Sequence, residues 1–168
     1  MISDKMLEAL NTQINEEWYS AYLYMSMSAY ASDQGLSGVA NWFRVQYGEE
    51  MTHAMKFYDY IIEQGGRVRL KAIQEPDHEF ESVEAIFSGA LDHERHITGC
   101  INELVSLAIE EKDYATHTFL QWFVTEQVEE EAHASDVLSR IRLVGQDGRG
   151  LLLIDNQLAQ RAPAAEQE

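Results

Sequence analysis

The sequence predicts an all-α protein: an antiparallel four-helix bundle with one long crossover and a short fifth C-terminal helix. Apolar residues recur at spacings of three and four through four long segments, which is the period of an amphipathic helix. With 2 prolines and 10 glycines among 168 residues, the chain has room for long helices. Between the second and third segments lie about fifteen residues without that period, whereas roughly two to eight are usual between bundle helices.

The first two helices are expected to form a hairpin. Ser3 can cap the first helix, which continues to the interruption at Asp33-Gln34-Gly35. Ser37 is expected to cap the second, which ends before Gly65 and Gly66. The expected apolar face of this second helix comprises Val39, Trp42, Phe43, Tyr47, Met51, Met55, Tyr58 and Ile62.

The crossover segment VRLKAIQEPDHEFES, 68–82, is expected to run along the length of the bundle. Ser82 can cap the third helix, and a polar break at 110–113 separates it from the fourth. The fourth helix is predicted from Tyr114 to about Val144.

A fifth helix is predicted over 151–161. Its consecutive leucines indicate either docking on its own bundle or packing against other subunits. The bundle domain is therefore predicted over 1–161, and 162–168 are predicted to form a disordered tail.

The charge of the chain excludes several classes of function. An excess of 29 acidic over 12 basic residues gives a net charge of -17, which disfavours binding to nucleic acid or anionic membranes and attracts cations. No apolar run has the length of a signal peptide or a membrane span, so we expect a cytoplasmic protein. The single cysteine, Cys100, cannot form an intrachain disulfide and is interpreted as a small buried residue.

Acidic residues on the first two helices fall on inward faces. Glu50-x-x-His53 places a carboxylate and an imidazole on one face of the second helix. Glu17 lies seven residues from Leu10 and seven from Tyr24, a whole number of helical turns, and so shares their inward face. Each of the two helices therefore offers an acid to the core.

The third and fourth helices supply further acids. Glu94 lies on the apolar stripe of the third helix, between Leu91 and Ile97. On the fourth helix, the segment VTEQVEEEAH, 124–133, follows directly on an apolar run. Its glutamates are either a solvated surface or, where they point inward, ligands that need a cation. The glutamates of this segment are Glu126, Glu129, Glu130 and Glu131.

Two internal comparisons select different residues from that segment. A shift of 80 residues pairs Glu50 with Glu130 and His53 with His133, which predicts a second Glu-x-x-His. A shift of 77 residues pairs Glu50 with Gln127 and His53 with Glu130, and it also aligns the acids of the first and third helices. Glu130 is selected by both comparisons.

Charge counting supports a site for two metal ions. Glu17, Glu50, Glu94 and Glu130 together carry four negative charges, which balance two divalent cations. Burial of these carboxylates without a cation would cost several kcal/mol per ion. One histidine beside four carboxylates is an oxygen-rich set, which suits iron or manganese better than structural zinc.

These features resemble the ferritin family, specifically the non-haem bacterial and archaeal ferritins. The resemblance extends over almost the whole chain: the Glu17 helix, Glu50-x-x-His53, the long crossover, Glu94, the segment FLQWFVTEQVEEE and the short fifth helix. It implies a ferroxidase that oxidises Fe(II) with dioxygen or peroxide at a di-iron centre. It also implies iron storage as a ferric mineral inside a homo-oligomeric shell of 24 subunits.

The resemblance also implies roles for individual residues. Glu17, Glu50 and His53 match the ligands of one iron, and Glu94 and Glu130 match those of the other, with Glu50 bridging the two.

Gln127 matches the family's glutamine beside the second iron, which favours the shift of 77 and makes His133 a bystander. The haem-containing bacterioferritins differ at Gln127 and Glu130, so no haem is expected, and Met51 is interpreted as core packing.

A third iron position is implied at Glu49, Glu126 and Glu129, of which the last two lie one turn apart on the fourth helix. Tyr24 and Trp122 match aromatic residues near the centre and are either electron donors or simply core residues. Other titratable residues are expected at the surface, at subunit contacts or in the crossover: His78, His93, His96, His117 and Glu131.

Four other functions compete with storage. A rubrerythrin-like peroxidase uses a similar bundle, but it usually has a further cysteine-ligated iron domain, and a single cysteine argues against that domain. A di-iron oxygenase or a manganese catalase also fits the ligand set, without storage. A helical scaffold with solvated acids is the non-enzymatic alternative.

Overall fold

The structure, a computed structural model, describes residues 2–145 and 147–163. Within these ranges it contains helices only, which confirms the predicted fold class. The five helices are α1 (Asp4–Asp33), α2 (Ser37–Glu63), α3 (Val83–Glu111), α4 (Tyr114–Val144) and α5 (Gly148–Leu158). None of these described helices has the length and hydrophobicity that crossing a bilayer requires.

The helix hairpins pack as the sequence predicts. α1 packs on α2, α3 packs on α4, and the hairpins meet where α1 contacts α3. The hydroxyl of Ser3, at the start of α1, donates a hydrogen bond to the Glu111 carboxylate, at the end of α3, with an oxygen–oxygen distance of 2.5 Å. Because opposite ends of these helices meet, α1 and α3 are antiparallel.

The long crossover lies along α1. Near its beginning, the backbone N–H of Arg69 donates to the Asn11 side-chain oxygen, over 2.6 Å. Near its end, the backbone oxygen of Asp77 accepts a hydrogen bond from the Ser26 hydroxyl, also over 2.6 Å. These contacts follow α1 from its N-terminal part to its C-terminal part, so the crossover spans the bundle as predicted.

The predicted caps are confirmed at α1 and α3 but not at α2. The Ser3 and Ser82 hydroxyls accept backbone hydrogen bonds in the first turns of their helices. Ser37 is already the first residue of α2 and caps nothing; the N-cap position is Leu36, which makes no side-chain hydrogen bond. The Asp155 carboxylate of α5 instead accepts from the backbone N–H of Val39, over 2.8 Å. A residue distant in the chain therefore accepts a hydrogen bond from one of the free backbone N–H groups in the first turn of α2.

The short helix α5 is docked on α2 and α4. It begins and ends earlier than the predicted range 151–161. Its earlier start follows from Asp147, which accepts a hydrogen bond from the backbone N–H of Arg149 and so caps the first turn. Gly38 allows the close approach, since a Cβ atom there would lie 1.7 Å from the Asp155 carbonyl oxygen. Of the predicted tail, residues 164–168 lie outside the described ranges, and the domain boundary stays a prediction.

The buried interior of the bundle has three layers. One apolar cluster surrounds Phe43 and Phe87, and a second surrounds Phe57 and Phe123. Each long helix passes from one cluster to the other, and between them it contributes buried polar residues. This polar layer consists of Glu17, Glu50, His53, Glu94, Gln127 and Glu130.

Candidate metal centre

The polar layer brings together six of the residues that the sequence analysis selected, two of them from α2 and two from α4. Their exposed fractions are only 1 to 3%. Acidic residues are rarely buried to this degree without a partner. These residues therefore do not form a solvated helix face, and their burial indicates a binding site.

Glu17, Glu50 and His53 form the half of the layer that α1 and α2 supply. One ligand atom from each lies within 4.8 Å of the others, a separation that suits a single metal ion. The Glu50 Oε2 and His53 Nδ1 atoms are 3.2 Å apart. Gln13 donates to Glu17 Oε1 over 2.8 Å, whereas Glu17 Oε2 is buried and has no hydrogen-bond partner.

Glu94 from α3 and Glu130 from α4 complete the layer, and neutral side chains orient both carboxylates. Gln127 donates to Glu94 Oε2 over 3.1 Å and to the Glu94 backbone oxygen over 3.2 Å. The Tyr24 hydroxyl donates to the other oxygen, Oε1, of the same carboxylate. Gln46 donates to Glu130 Oε2 over 2.7 Å. Each carboxylate therefore has a fixed orientation with its remaining lone pairs available for a cation.

His53 is the member of the buried layer that reaches Glu126, a partly buried acid at the edge of the layer; this edge, with Glu49, Glu126 and Glu129, is called the rim. The His53 Nε2 atom is 3.9 Å from Glu126 Oε1, and ligand atoms of His53, Glu126 and Glu130 also lie within 4.8 Å of one another. The Trp122 and Phe123 rings contact the imidazole edge to face, with centroids 5.4 and 6.1 Å away. Packing against these rings holds the imidazole in one orientation.

The electrostatics of the layer favour protonated acids unless a cation is bound. Burial raises the pKa of Glu17 well above its usual value, and the nearby Glu50 adds to the shift. Burial also raises the pKa of Glu50, with further contributions from Glu94 and Glu130. The pKa of Glu130 is raised to about 7, first by burial and then by Glu94. Two divalent cations would remove this repulsion, because their charge offsets that of four carboxylates.

The residues present fit an iron site. Four carboxylates and one imidazole form an oxygen-rich set of the kind that iron accepts. The Oε2 atom of Glu17 is a buried acceptor without a hydrogen-bond partner. A bound cation would give this oxygen the partner that buried acceptors have in most proteins.

The residues of the third predicted position are only partly gathered. Glu126 reaches His53, as described, but Glu129 is exposed. The Glu49 carboxylate forms an ion pair with Arg161, with a nitrogen–oxygen distance of 2.7 Å. Arg161 follows α5 and stacks over the Trp42 ring, with its guanidinium carbon 4.7 Å from the ring centroid. This ion pair has no signal in the sequence, because Arg161 lies far from Glu49 in the chain.

Comparison with known proteins agrees with this geometry. The Ferritin-like domain family matches residues 7–144, which include every residue of the buried layer. The chain belongs to the ferritin family.

Its relatives within that family are similar over nearly their whole length. A Haemophilus influenzae protein, named a probable bacterial non-heme ferritin-like protein, is 43% identical over 158 residues, 94% of this chain and 96% of that protein. The bacterial non-heme ferritin of Escherichia coli is 39% identical over 159 residues, 95% of this chain and 96% of the other. A solved open pore ferritin from Archaeoglobus fulgidus superimposes with a TM-score of 0.96 at 53% identity, covering 96% of this chain and all of that one.

Within this ferritin fold, α4 places Glu130 and Gln127 inside and His133 at the surface. That orientation agrees with the shift of 77 residues, because the shift of 80 required His133 to point inward. Glu131, expected at solvent or a subunit contact, is partly exposed, and its carboxylate also accepts a hydrogen bond from the Thr98 hydroxyl of α3 over 2.6 Å. The metal-binding role of each residue stays a prediction.

The expectation that His93 lies at the surface or in the crossover is wrong. Its Nε2 atom is 2.7 Å from the Ser20 hydroxyl oxygen, and its ring contacts the Tyr24 ring with centroids 6.0 Å apart. Burial, with a smaller contribution from His96, lowers the pKa of His93 to about 4, so the imidazole is neutral. His93 directly precedes Glu94 on α3 and packs against α1, beside the buried layer.

Sequence reasoning also missed Gln13 and Gln46. Each lies four residues before a predicted ligand, Glu17 and Glu50 respectively, and therefore on the same helix face. This repeated Gln-x-x-x-Glu spacing was a usable signal. Gln13 bonds to the glutamate of its own helix, whereas Gln46 bonds across the bundle to Glu130.

Proposed function

We propose that the chain is an iron-storage ferritin that oxidises Fe(II) to Fe(III) in the buried polar layer. The observation that best supports this proposal is the burial of four carboxylates and one imidazole between two apolar clusters. The unpartnered Glu17 oxygen supports it further. Relatives that match nearly the whole chain are named non-heme ferritins.

In this proposal, Glu17, Glu50 and His53 bind one ferrous ion, and Glu94 and Glu130 bind the other. Glu50 is the bridging residue. Burial first, and then the charges of Glu94 and Glu130, raise the pKa of Glu50, and this influence of both carboxylates supports the assignment. A shared carboxylate keeps two ions close enough to react with one oxidant.

The reaction moves two electrons. Two ferrous ions give up one electron each. With dioxygen as the oxidant, the two electrons and two protons form hydrogen peroxide. With hydrogen peroxide as the oxidant, they form two water molecules. The carboxylates favour the ferric product because their negative charge stabilises the more highly charged ion. Gln46 and Gln127 hold two of these carboxylates in place through the hydrogen bonds described above.

Tyr24 is proposed to assist this reaction. Its hydroxyl is bonded directly to a Glu94 oxygen and is fully buried, so the phenol lies beside the reacting ions. Burial and the nearby carboxylates, Glu94 first, raise the pKa of Tyr24 well above its usual value. The phenol therefore stays protonated. When only one ferrous ion can react, it can supply the second electron together with a proton, and the neutral tyrosyl radical that remains is then reduced by a later ferrous ion. Trp122, packed on His53 at the rim, is the alternative electron donor.

A third ion is proposed at the rim, at Glu126 with Glu129 and Glu49. Glu126 is already directed towards His53. Glu49 must exchange its ion pair with Arg161 for the cation, so the third ion is expected to bind more weakly than the two buried ones. Iron at the rim would be in transit between the buried layer and the mineral.

Storage requires an enclosed particle, and we propose a homo-oligomeric shell of 24 subunits in the cytoplasm. Several large apolar side chains at the C-terminal end of the bundle are exposed in the single chain, which favours burial between subunits. They are Leu143, Leu152 and Leu153. A single cysteine suits the reducing cytoplasm.

Particle size measured together with iron uptake in air tests the storage proposal. The proposal predicts a particle of about 24 times the 19.2 kDa chain mass that oxidises ferrous ions and retains far more than three per chain. A stable monomer, or uptake that stops at two or three ions per chain, would contradict storage. The second result would instead favour a di-iron oxidoreductase.

A further inference from the structure

A second group of metal-ligating side chains lies on the surface where α1 and α3 meet. It consists of Glu16 from α1 and of His96 and Cys100 from α3, and one ligand atom from each lies within 4.8 Å of the others. His96 and Cys100 are four residues apart and so lie on the same face of α3. None of the three takes part in the buried layer.

We propose that Glu16, His96 and Cys100 form a separate site for one borderline divalent metal ion of the Zn²⁺ class. The three side chains offer a carboxylate oxygen, an imidazole nitrogen and a thiolate sulfur, and zinc is commonly bound by this combination of ligand types. A fourth position would remain open to water. The site extends the account beyond iron oxidation, because a sulfur ligand selects a different class of metal from the carboxylate layer.

The distances between the ligand atoms support this proposal. Glu16 Oε2 lies 3.1 Å from His96 Nε2, and Cys100 Sγ lies 3.7 Å from the same nitrogen. A tetrahedral Zn²⁺ with ordinary bond lengths would separate oxygen from nitrogen by about 3.3 Å and nitrogen from sulfur by about 3.6 Å. The unliganded side chains therefore need only small movements to hold such an ion.

The group is accessible to an ion from solvent, and acidic side chains lie near its thiol. The His96 side chain is 57% exposed and that of Glu16 is 29% exposed, whereas Cys100 is half-buried. Burial first, and then Glu16 and Glu103, raise the pKa of the Cys100 thiol to about 11. The thiol is therefore protonated at neutral pH and is a poor nucleophile; a metal ion would displace its proton.

Cobalt provides a direct test, because Co²⁺ replaces Zn²⁺ and a thiolate ligand gives a charge-transfer band in the near ultraviolet. The assembled protein, metal-free and reduced, is titrated with Co²⁺ without oxygen. Cys100 is the only cysteine of the sequence, so a thiolate band can arise from no other residue. The proposal predicts the band, together with the visible bands of tetrahedral cobalt, and their loss when Zn²⁺ is added.

Variants separate this site from its alternatives. Cys100→Ser must lose the band, whereas Glu50→Ala, altered only in the buried layer, must keep it. His96→Ala and Glu16→Gln are expected to weaken cobalt binding by roughly tenfold or more, the scale on which losses at metal sites are measured. Absence of the band in the unaltered protein at saturating Co²⁺ would overturn the proposal. If His96→Ala kept the full thiolate band and an unchanged affinity for Co²⁺, the proposal would be overturned as well, because Cys100 would then bind the ion without His96.

Discussion

Two groups of acidic residues lie next to each other in this ferritin and differ mainly in their access to water. The buried acids Glu17, Glu50, Glu94 and Glu130 are almost completely enclosed. At the rim, the side chains of Glu49 and Glu126 are 16% and 26% exposed, and Glu129 is exposed.

The difference shows why only one group demands a cation. An acid at the rim can be hydrated or can pair with a basic residue, as Glu49 does with Arg161. An enclosed carboxylate has lost water without an equivalent replacement, and its ionised form is costly until a positive charge arrives. Composition and spacing alone do not separate the two groups, because both consist of glutamates on amphipathic helices.

The largest effect is expected when a buried ligand is removed. Glu50→Ala should slow the rapid phase of ferrous oxidation by about 100-fold or more, since in the proposed assignment both ions share this carboxylate. Glu129→Ala, the matched change at the rim, should alter the same phase by less than about threefold. Rapid-mixing absorbance after addition of ferrous ions measures both. If the oxidation rate fell equally in the two variants, the buried acids and the rim acids would not differ in function as proposed.

The second prediction concerns stability without metal. Burial first, and then Glu94, raise the pKa of Glu130 from 4.5 to about 7 in the folded chain, so between these pH values the folded state binds more protons than the unfolded one. Its contribution to stability is therefore fully present below pH 4.5 and is lost as the pH rises to about 7. The shift corresponds to a free energy on the order of 3 kcal/mol.

Glu130→Gln isolates this contribution, because the amide keeps the shape of the side chain and cannot ionise. Metal-free Glu130→Gln is expected to unfold at a higher temperature than the unaltered protein near pH 8, and at a similar temperature near pH 4.5. Adding ferrous or zinc ions should raise the melting temperature of the unaltered protein more than that of the variant. Thermal melting at the two pH values measures these temperatures. A variant that melts at a lower temperature than the unaltered protein at both pH values would contradict the claim that ionised Glu130 destabilises the metal-free fold.

A smaller effect is expected at the rim when the arginine is removed. Arg161→Ala takes away the guanidinium that pairs with Glu49, so a cation meets less competition there. The affinity of the third ion should rise by up to about tenfold, while the rapid oxidation phase stays unchanged. Calorimetric titration after the two buried positions are filled measures the affinity. An unchanged or weaker third ion would show that Arg161 does not compete.

The smallest effect is expected for Tyr24→Phe. The substitution removes the hydrogen bond to Glu94 and leaves the packing of the ring intact. Because that hydrogen bond lowers the pKa of Glu94, its loss should raise that pKa further and slow oxidation by about two- to tenfold. Rapid-mixing measurements over a range of pH detect both changes. Phe43→Leu, at a ring that packs beside Tyr24, is the control for altered packing alone.

Much of the fold could be predicted because the relevant signals are local. The helical period identified the four long helices, and the length of the connection between the second and third indicated the crossover. The inward direction of Glu17 and Glu94 followed from their position on apolar stripes. Both are buried in the structure.

The errors occur where residues distant in the chain meet. Asp155 caps α2 in place of Ser37, and Arg161 pairs with Glu49; neither contact has a sequence signal near its partner. Met55 and Ile62 lie on the predicted apolar face of α2 but are exposed, because a 3.6-residue period does not define how wide the packed stripe is.

The central claim is that the buried acids, including Glu130, bind the two ferrous ions that react together. Counting the ferrous ions oxidised in the rapid phase tests it most directly, in Glu130→Ala and in the neighbouring surface variant His133→Ala. The account predicts a rapid phase of two ions per chain that disappears in Glu130→Ala and survives nearly unchanged in His133→Ala. A rapid phase that persists in Glu130→Ala, or is lost in His133→Ala, would contradict it.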